Sequence, residues 1–222
     1  MEIGIVDHDI PDDSHDFYDI YFYSDRINTM VTHDPSQVSR WLSHTQRIHR
    51  HRLNNLIVGL DVEWRPSFSK YHRNPVATLQ LCVGRRCLVF QILRCSREYN
   101  EDEFIPEDLR DFLAKEDYTF VGVGIQNDVQ NLEGDYGLEV SGRIVDLRRL
   151  AAGEYDRKEL RNAGMKELAR LVLGREVQKP RWVTMGRWDS RWLNPDQVQY
   201  ACVDAFVSFE IGRRLDADEY ED

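Results

Sequence analysis

Two acidic residues in the stretch VGLDVEWRP, Asp61 and Glu63, stand at the end of an apolar run. The run 56–60 predicts a buried strand, and side chains two positions apart on a strand point to the same face. At a solvent-exposed strand end such a pair is common by chance. At a buried strand end, the two carboxylates would need cations to offset their repulsion and their loss of hydration.

Two further acids and a tyrosine stand at positions with similar demands. Asp128 follows the apolar stretch 120–124 at the start of a predicted helix, where an acid by itself is unremarkable. Asp204 lies in the stretch YACVDAFVSF, so its ionised form needs a partner or would take up a proton. Tyr200 precedes Asp204 by one helical turn and shares its face.

Clustered carboxylates without His or Cys among them favour Mg²⁺ or Mn²⁺ over zinc. Two such ions, about 4 Å apart, stabilise the attacking and leaving oxygens of an in-line phosphoryl displacement. The set therefore predicts a site for two Mg²⁺ or Mn²⁺ ions and the metal-assisted cleavage of a phosphodiester. Its members are Asp61, Glu63, Asp128 and Asp204.

The elements that must position these residues follow a characteristic order. Two strands precede a helix that has Asp34 as its N-cap, and the strand of the first acid pair comes next. Residues 78–93 predict an antiparallel hairpin joined at Gly84. Strands then alternate with helices, and the last helix has Asn194 as its N-cap. This order predicts an α/β fold in which helices flank a mixed central sheet.

The charge of the 222-residue chain is unevenly distributed. The net charge is −10, but residues 1–16 hold six acids and residues 216–222 hold five. Without these eleven acids, the remaining body has a net charge of +1. We expect residues 1–16 and 216–222 to be solvated acidic tails, and residues 17–215 to form a single domain.

The sequence also bears on partners and compartment. Basic clusters such as RIHRHR, residues 47–52, permit a polyanionic partner, although such clusters are more often solvated faces. No segment approaches the roughly 20 apolar residues that cross a membrane, and the acidic N-terminus lacks a signal pattern. The four cysteines lack C-x-x-C spacing and are expected to stay reduced. We expect no membrane association and a cytoplasmic location, with the nucleus as the alternative.

Three stretches, LDVEW, FVGVGIQNDVQNL and YACVDAF, resemble the exonuclease motifs of the DnaQ-like superfamily. The tyrosine four residues before the last acid resembles the DEDDy branch, which includes ribonuclease D and the Werner-syndrome exonuclease domain. The likeness covers about residues 55–214. The chain is similar throughout to a plant subgroup of small stand-alone members, among them the RISC-interacting clearing exoribonucleases. This resemblance implies a ribonuclease H-like fold.

The resemblance also implies roles for five intact positions. Asp61, Glu63, Asp128 and Asp204 match the four metal-binding acids, and Tyr200 matches the tyrosine that orients the attacking water. Asp61 would bridge both ions, and Glu63 would help to hold the ion that activates water. The implied reaction removes nucleoside 5′-monophosphates from the 3′ end of a single-stranded nucleic acid.

Five residues are candidates for contacts with that nucleic acid: Trp64, Leu79, Lys179, Arg181 and Arg187. Trp64 follows the first motif and is a candidate for stacking on the terminal nucleotide, although a core position is at least as expected. Leu79 is a candidate wedge against the terminal base. The three basic residues precede the last helix and are candidates for phosphate contacts.

The resemblance favours RNA over DNA as the substrate. It also implies a homo-oligomer, with a hexameric ring as the suggested form, and an Argonaute-containing RISC as a partner. An oligomer would compensate for the weak binding expected of a near-neutral subunit. The alternatives are a Werner-like DNA exonuclease and a non-catalytic nucleic-acid-binding scaffold. The intact acids and tyrosine argue against the scaffold.

Overall fold

A computed structural model describes residues 3–67, 73–99 and 104–220. Within these ranges, one mixed sheet is covered by helices on both faces. The strands are β1 (Ile3–His8), β2 (His15–Phe22), β3 (Asp25–Thr32), β4 (Leu56–Glu63), β5 (Thr78–Val83), β6 (Arg86–Phe90), β7 (Tyr118–Gly122) and β8 (Arg143–Asp146). The helices are α1 (Pro35–Ile48), α2 (Ile92–Glu98), α3 (Glu107–Leu113), α4 (Ile125–Tyr136), α5 (Leu147–Glu154), α6 (Met165–Leu168), α7 (Arg181–Thr184) and α8 (Pro195–Arg214).

The strand order across the sheet is β1-β2-β3-β6-β5-β4-β7-β8. β3 pairs with β6 in parallel, as β4 does with β7 and β7 with β8, whereas the other neighbours are antiparallel. The hairpin of β5 and β6 turns at Gly84, whose φ of +60° suits a residue without a side chain. The predicted mixed α/β sheet is confirmed.

Both predicted N-caps satisfy the first free N–H groups of their helices. The Asp34 carboxylate accepts a hydrogen bond of 2.7 Å from the Ser36 N–H at the start of α1. Asn194 and Gln197 form a capping box in which the side chain of each accepts a hydrogen bond from the backbone N–H of the other. One boundary differs from the prediction, because β6 ends at Phe90 and the following residues start helix α2 instead of extending the strand.

The N-terminal segment belongs to the sheet. β1 pairs along its whole length with β2 in antiparallel register. The buried Asp19 carboxylate of β2 binds His8 of β1 at 2.6 Å and Arg26 of β3 at 2.7 Å. The prediction of an acidic tail over residues 1–16 is therefore wrong for residues 3–16. Asp7 lies in the edge strand, and Asp9, Asp12 and Asp13 lie in the connection to β2, where their side chains remain in solvent.

The C-terminal segment is also packed in part. Ala217 is fully buried against the body just beyond α8, and Arg143 donates to the carbonyl of Asp218. The prediction of a tail over residues 216–222 is therefore wrong for its first half, and residues 221–222 lie outside the described ranges. In the described part of the chain, no helix combines the length and hydrophobicity that crossing a bilayer requires.

Helix α8 lies directly against the face of β4 that carries the first acid pair. A Cβ atom at Gly59 would lie 2.1 Å from the carbonyl oxygen of Ala205, so only glycine permits this approach. Side chains alternate along β4, and Gly59 therefore shares its face with Asp61 and Glu63. Helices α1, α3 and α4 cover the opposite face and close a second apolar cluster.

Candidate active site

Three carboxylates meet where β4 and α8 converge. Asp61 and Glu63 point from β4 toward α8, and Asp204 points back from the helix. Carboxylate oxygens of the three residues lie within 4.8 Å of one another. Asp204 is almost completely buried, whereas Asp61 and Glu63 keep part of their surface exposed. We call these three residues the carboxylate cluster.

Asp128 lies beside the cluster, in the first turn of α4. The helix begins after Gly124, whose φ of +77° turns the chain out of β7. Burial and the nearby Asp146 raise the pKa of Asp128 to about 7, although Lys179 and Arg148 oppose this shift. The negative charge of Asp128 in turn contributes to raising the pKa values of Asp61 and Glu63, so it belongs to the same electrostatic site.

The cluster is short of positive charge. Burial, and then the charge of Asp204, raise the pKa of Asp61 well above its ordinary value and that of Glu63 to about 8. The Asp61 Oδ2 and Asp204 Oδ1 atoms are buried and accept no hydrogen bond within the described residues. Buried carboxylate oxygens without donors favour a bound cation. The all-oxygen donor set therefore fits Mg²⁺ or Mn²⁺.

The side chain of Lys179 provides one positive charge next to the carboxylate cluster. Its Nζ atom lies 2.5 Å from Asp204 Oδ2 and 5.3 Å from the centroid of the Tyr200 ring. Burial lowers the pKa of Lys179, but the charges of Asp204 and Asp61 outweigh burial and raise it overall. The sequence had suggested a phosphate contact for this residue. Only its place in the irregular stretch before α8 hinted that it reaches the acids.

Tyr200 stands beside the cluster as a neutral hydroxyl. Burial, and then the charges of Asp204 and Glu63, raise its pKa. The buried Trp188 ring lies 6.0 Å from the Tyr200 ring, centroid to centroid, and restricts its position. The phenol therefore keeps its proton at neutral pH and can donate a hydrogen bond toward the carboxylates or a water between them.

The other candidates for nucleic-acid contacts occupy different environments. Leu79 is fully buried in the core, so the expectation that it wedges a base is wrong for this structure. Trp64 packs partly against the core, with the Arg73 guanidinium 5.9 Å from its ring centroid. Arg181 and Arg187 are exposed near the site, and their phosphate contacts stay predictions.

Two ion pairs beside the site were missed by the sequence analysis. Arg148 binds Asp146 at 2.6 Å, next to Asp128, and Arg65 binds Asp189 at 3.2 Å. The second pair ties the end of β4 to the loop that precedes α8. Long-range pairing of this kind leaves little trace in local sequence, although the short spacing of Asp146 and Arg148 at the start of α5 was a usable signal.

The sequence profile of the 3′-5′ exonuclease domain matches residues 31–218. This chain belongs to the 3′-5′ exonuclease family. The family that was predicted from the strand-end acids, the acid on α4, and the tyrosine and acid on α8 is therefore confirmed.

Three relatives are similar over most of this chain. A 3′-5′ exonuclease of Arabidopsis thaliana is 34% identical over 162 residues, which are 71% of this chain and 52% of the relative. Human exonuclease 3′-5′ domain-containing protein 2 is 32% identical over 70% of this chain and 24% of its own length. Mouse bifunctional 3′-5′ exonuclease/ATP-dependent helicase WRN is 29% identical over 72% of this chain and 11% of its own length. The chain spans about half or less of the length of these relatives.

Solved structures confirm the predicted ribonuclease H-like fold. Escherichia coli RNase D, an exoribonuclease, superposes with a TM-score of 0.66 over 86% of this chain and 45% of that one, at 16% identity. The Aedes aegypti Nibbler EXO domain superposes with a TM-score of 0.65 over 85% of this chain and 87% of that domain's chain, at 18% identity. At such identities the likeness concerns the fold alone.

Proposed function

We propose that this family member is a metal-dependent exonuclease that releases nucleoside 5′-monophosphates from the 3′ end of single-stranded nucleic acid. The observation that carries the proposal is the carboxylate cluster, whose oxygens lie within 4.8 Å of one another beside a protonated tyrosine. A scaffold protein has no need of this arrangement, because buried and mutually repelling carboxylates reduce stability.

The cluster residues would hold the metal, and Asp128 would contribute to a second position. Two bound Mg²⁺ or Mn²⁺ ions would supply Lewis-acid stabilisation of the phosphate and activation of water. By the motif resemblance, Asp61 would contribute to both positions. The orphaned Asp61 Oδ2 and Asp204 Oδ1 atoms supply the lone pairs that such binding uses.

Two further side chains prepare the site for a phosphodiester. The Tyr200 hydroxyl, held protonated near Glu63, would donate to and orient the attacking water. Lys179 can exchange its bond with Asp204 for the scissile phosphate once other cations satisfy the carboxylates. This exchange reconciles the observed ion pair with the phosphate contact predicted from the sequence.

RNA is the proposed substrate. Support comes from the resemblance of the N-terminal strands and helix to those of the plant clearing exoribonucleases, and the wider relatives include WRN, named as a helicase as well as an exonuclease. A Werner-like DNA exonuclease is therefore the second candidate. The RNA proposal extends to clearance of small RNA with an Argonaute-containing RISC in the cytoplasm, and to assembly as a homo-oligomeric ring.

The deciding experiment compares 5′-labelled RNA and DNA of one sequence in Mg²⁺, in Mn²⁺ and in EDTA. We expect a ladder of products shortened from the 3′ end, faster for RNA, and no products in EDTA. A 3′-blocked oligonucleotide and the Asp61→Asn variant are the controls. Faster trimming of DNA would favour the second candidate, and activity in EDTA or in the variant would overturn the metal-dependent proposal. Light scattering on a sizing column tests the ring, and a monomer would exclude it.

A further inference from the structure

A surface rich in arginine and histidine lies at the end of the sheet opposite to the carboxylate cluster. Residues 35–60 contain four arginines and three histidines but no acid, in a chain whose net charge is −10. Side chains from the end of α1, the following loop and β6 form the surface, which we call the basic surface. They are His44, Arg47, His49, Arg50, Arg52 and Arg86.

The basic surface and the carboxylate cluster lie at opposite ends of β4. The loop 49–55 leads into β4 at Leu56, whereas the acids stand at Asp61 and Glu63. At about 3.3 Å per residue, the two sites are on the order of 20 Å apart along the strand. A cleft of about 1160 Å³ opens beside the loop, bounded in part by Arg52 and Arg86.

The exposed arginines of this surface lack carboxylate partners in the part of the chain that the structure describes. Arg47, Arg50 and Arg52 form no ion pair with any residue in the described ranges, and the Arg50 Nε atom instead donates to a histidine ring at 3.1 Å. The far wall of the same cleft is different, because Arg85 and Arg175 both bind Asp25 there at 2.7 Å. Arg47 and Arg50 line a separate recess together with Lys115 and Asp117, so the unpaired positive charge lies at the end of α1 and in the loop that follows it.

Neighbouring groups respond to this charge. The Arg86 guanidinium is half-buried and lies 3.3 Å from His44 Nδ1. Burial, and then the charge of Arg86, lower the pKa of His44. Burial, and then the charges of Arg52 and Arg86, lower the pKa of His49. Both histidines lie at the C-terminal end of α1, and a bound anion would offset the arginine charges near them.

We propose that the basic surface binds the phosphate backbone of the substrate strand, upstream of the terminal nucleotide held at the carboxylate cluster. The inference rests on the proposed function, which already requires a polyanion. Guanidinium groups match phosphate oxygens in geometry and charge, and a single strand can follow the protein surface. At about 3.4 Å per stacked nucleotide, a strand that reaches both sites has at least about six nucleotides.

The test compares two triple variants that lose the same charge. Arg47→Gln/Arg50→Gln/Arg52→Gln changes the basic surface, and Arg157→Gln/Lys158→Gln/Arg161→Gln changes an exposed segment elsewhere. Binding of a 5′-labelled single-stranded 20-mer RNA is measured by fluorescence anisotropy in EDTA over a range of salt concentrations. Trimming of the 20-mer and of a 4-mer is measured in Mg²⁺. Melting temperatures verify that both variants fold.

We expect the basic-surface variant to bind the 20-mer about tenfold more weakly, with a salt slope reduced by about 2, corresponding to three lost phosphate contacts. Its kcat/KM for the 4-mer should equal that of the wild type, and the control variant should behave as the wild type throughout. Equal weakening in both variants, unchanged 20-mer binding, or an equal loss on the 4-mer would each overturn the proposal. The first result would indicate a general effect of net charge on RNA binding. The second would indicate that the basic surface does not bind RNA and would favour an acidic protein as its partner. Binding in EDTA tests the surface even if the wild type cuts nothing, so the two proposals can fail separately.

Discussion

The two ends of β4 hold opposite charges in opposite environments. At one end, Asp61 and Glu63 share a partly closed site with Asp204, and burial raises the pKa values of the first two. At the other end, Arg50 and Arg52 stand in solvent without carboxylate partners among the described residues. Exposed charges cost little, whereas buried like charges reduce stability unless a cation joins them. We therefore expect the acidic end to lower the unfolding free energy of the metal-free protein while it favours binding of a cation. The basic end should leave the unfolding free energy unchanged.

The largest effect is expected when one charge is removed from the acidic end of β4. Asp61→Asn keeps the shape of the side chain but should lower kcat/KM more than about 100-fold, since losing groups that merely orient a metal ligand already costs about 10–100-fold. At pH 8, where Glu63 begins to ionise, the metal-free variant should melt at a higher temperature than the wild type, because one acid fewer repels its neighbours. Kinetics and calorimetry in EDTA measure the two effects.

Glu133→Gln on the exposed side of α4 is the matched control, because it removes the same charge from a solvent-exposed position. It should leave both activity and melting temperature unchanged. An Asp61→Asn variant that was less stable than the wild type in EDTA would show that the acidic end stabilises the fold, and the contrast between the two ends of β4 would be lost.

Tyr200→Phe separates the orientation of water from the binding of metal. The phenyl ring keeps the contact with Trp188, but the hydroxyl near Glu63 and Asp204 is lost. We expect kcat to fall about 10- to 100-fold, as for other groups that only orient a reacting ligand. Mn²⁺ affinity, measured by calorimetry, should not change. Tyr155→Phe, on the protein surface, is the control, and a large loss of Mn²⁺ affinity in Tyr200→Phe would assign the hydroxyl to the metal site instead.

Lys179→Met removes the internal cation from the acidic end. Because Asp204 would lose its partner at 2.5 Å, the metal-free variant should lose about 1–3 kcal/mol of unfolding free energy, less than for a fully buried pair since the lysine is partly exposed. Saturating Mg²⁺ should restore most of the difference, because the metal replaces the ammonium. Lys179→Arg keeps the charge and should retain more stability. Equal melting temperatures of Lys179→Met and wild type in EDTA would contradict the role of the ion pair.

The sequence predicted those parts of the site that depend on local pattern. Asp61 and Glu63 follow a recognisable buried strand and share one of its faces, and Asp204 interrupts an apolar helix, so the burial of Asp204 could be expected from the residue pattern alone. The pairing of Lys179 with Asp204 could not, since it depends on the path of the chain between two residues 25 positions apart. Local spacing carries no record of such a contact.

The predictions from sequence are wrong where the surroundings of a residue in the fold differ from those that local composition suggests. Residues 1–16 are acidic in sequence, yet pairing with β2 fixes the backbone of β1 while the Asp7 side chain remains in solvent. The strand beside the first motif makes Leu79 a candidate for contact with a nucleotide, but its strand lies between β4 and β6 and its side chain is fully buried. The basic residues 47–52 were visible as a cluster, but only the fold places them opposite to the acids.

The dependence of stability on pH sharpens the comparison. The folded, metal-free protein holds the proton of Glu63 with a pKa of about 8 against an ordinary 4.5, and that of Asp128 with about 7 against 3.8. Because the folded state binds these protons more tightly than the unfolded state, their contribution to stability falls as pH rises from about 4 to 8. Mg²⁺ displaces the protons, so its stabilising effect should grow over the same range.

Melting temperatures at pH 5.5 and pH 8, in EDTA and in Mg²⁺, measure this linkage. The Asp61→Asn variant, with one charge fewer beside Glu63, should show a shallower loss between the two pH values. A wild type whose stabilisation by Mg²⁺ is the same at both pH values would show that the cluster is already ionised without metal. The basic-surface triple variant is the control, and its pH dependence should match that of the wild type.

The smallest expected effect belongs to a single change at the basic end. Arg50→Gln should alter the unfolding free energy by less than about 0.5 kcal/mol, because the side chain is exposed and pairs with no carboxylate in the described ranges. It should weaken binding of the 20-mer RNA only about twofold and reduce the salt slope by about 0.7, the value for one phosphate contact on a single strand. Lys158→Gln is the matched control. A stability loss as large as that of Lys179→Met would show that the basic end is part of the structural framework, because exposed arginines kept only for binding leave the fold unchanged when they are removed.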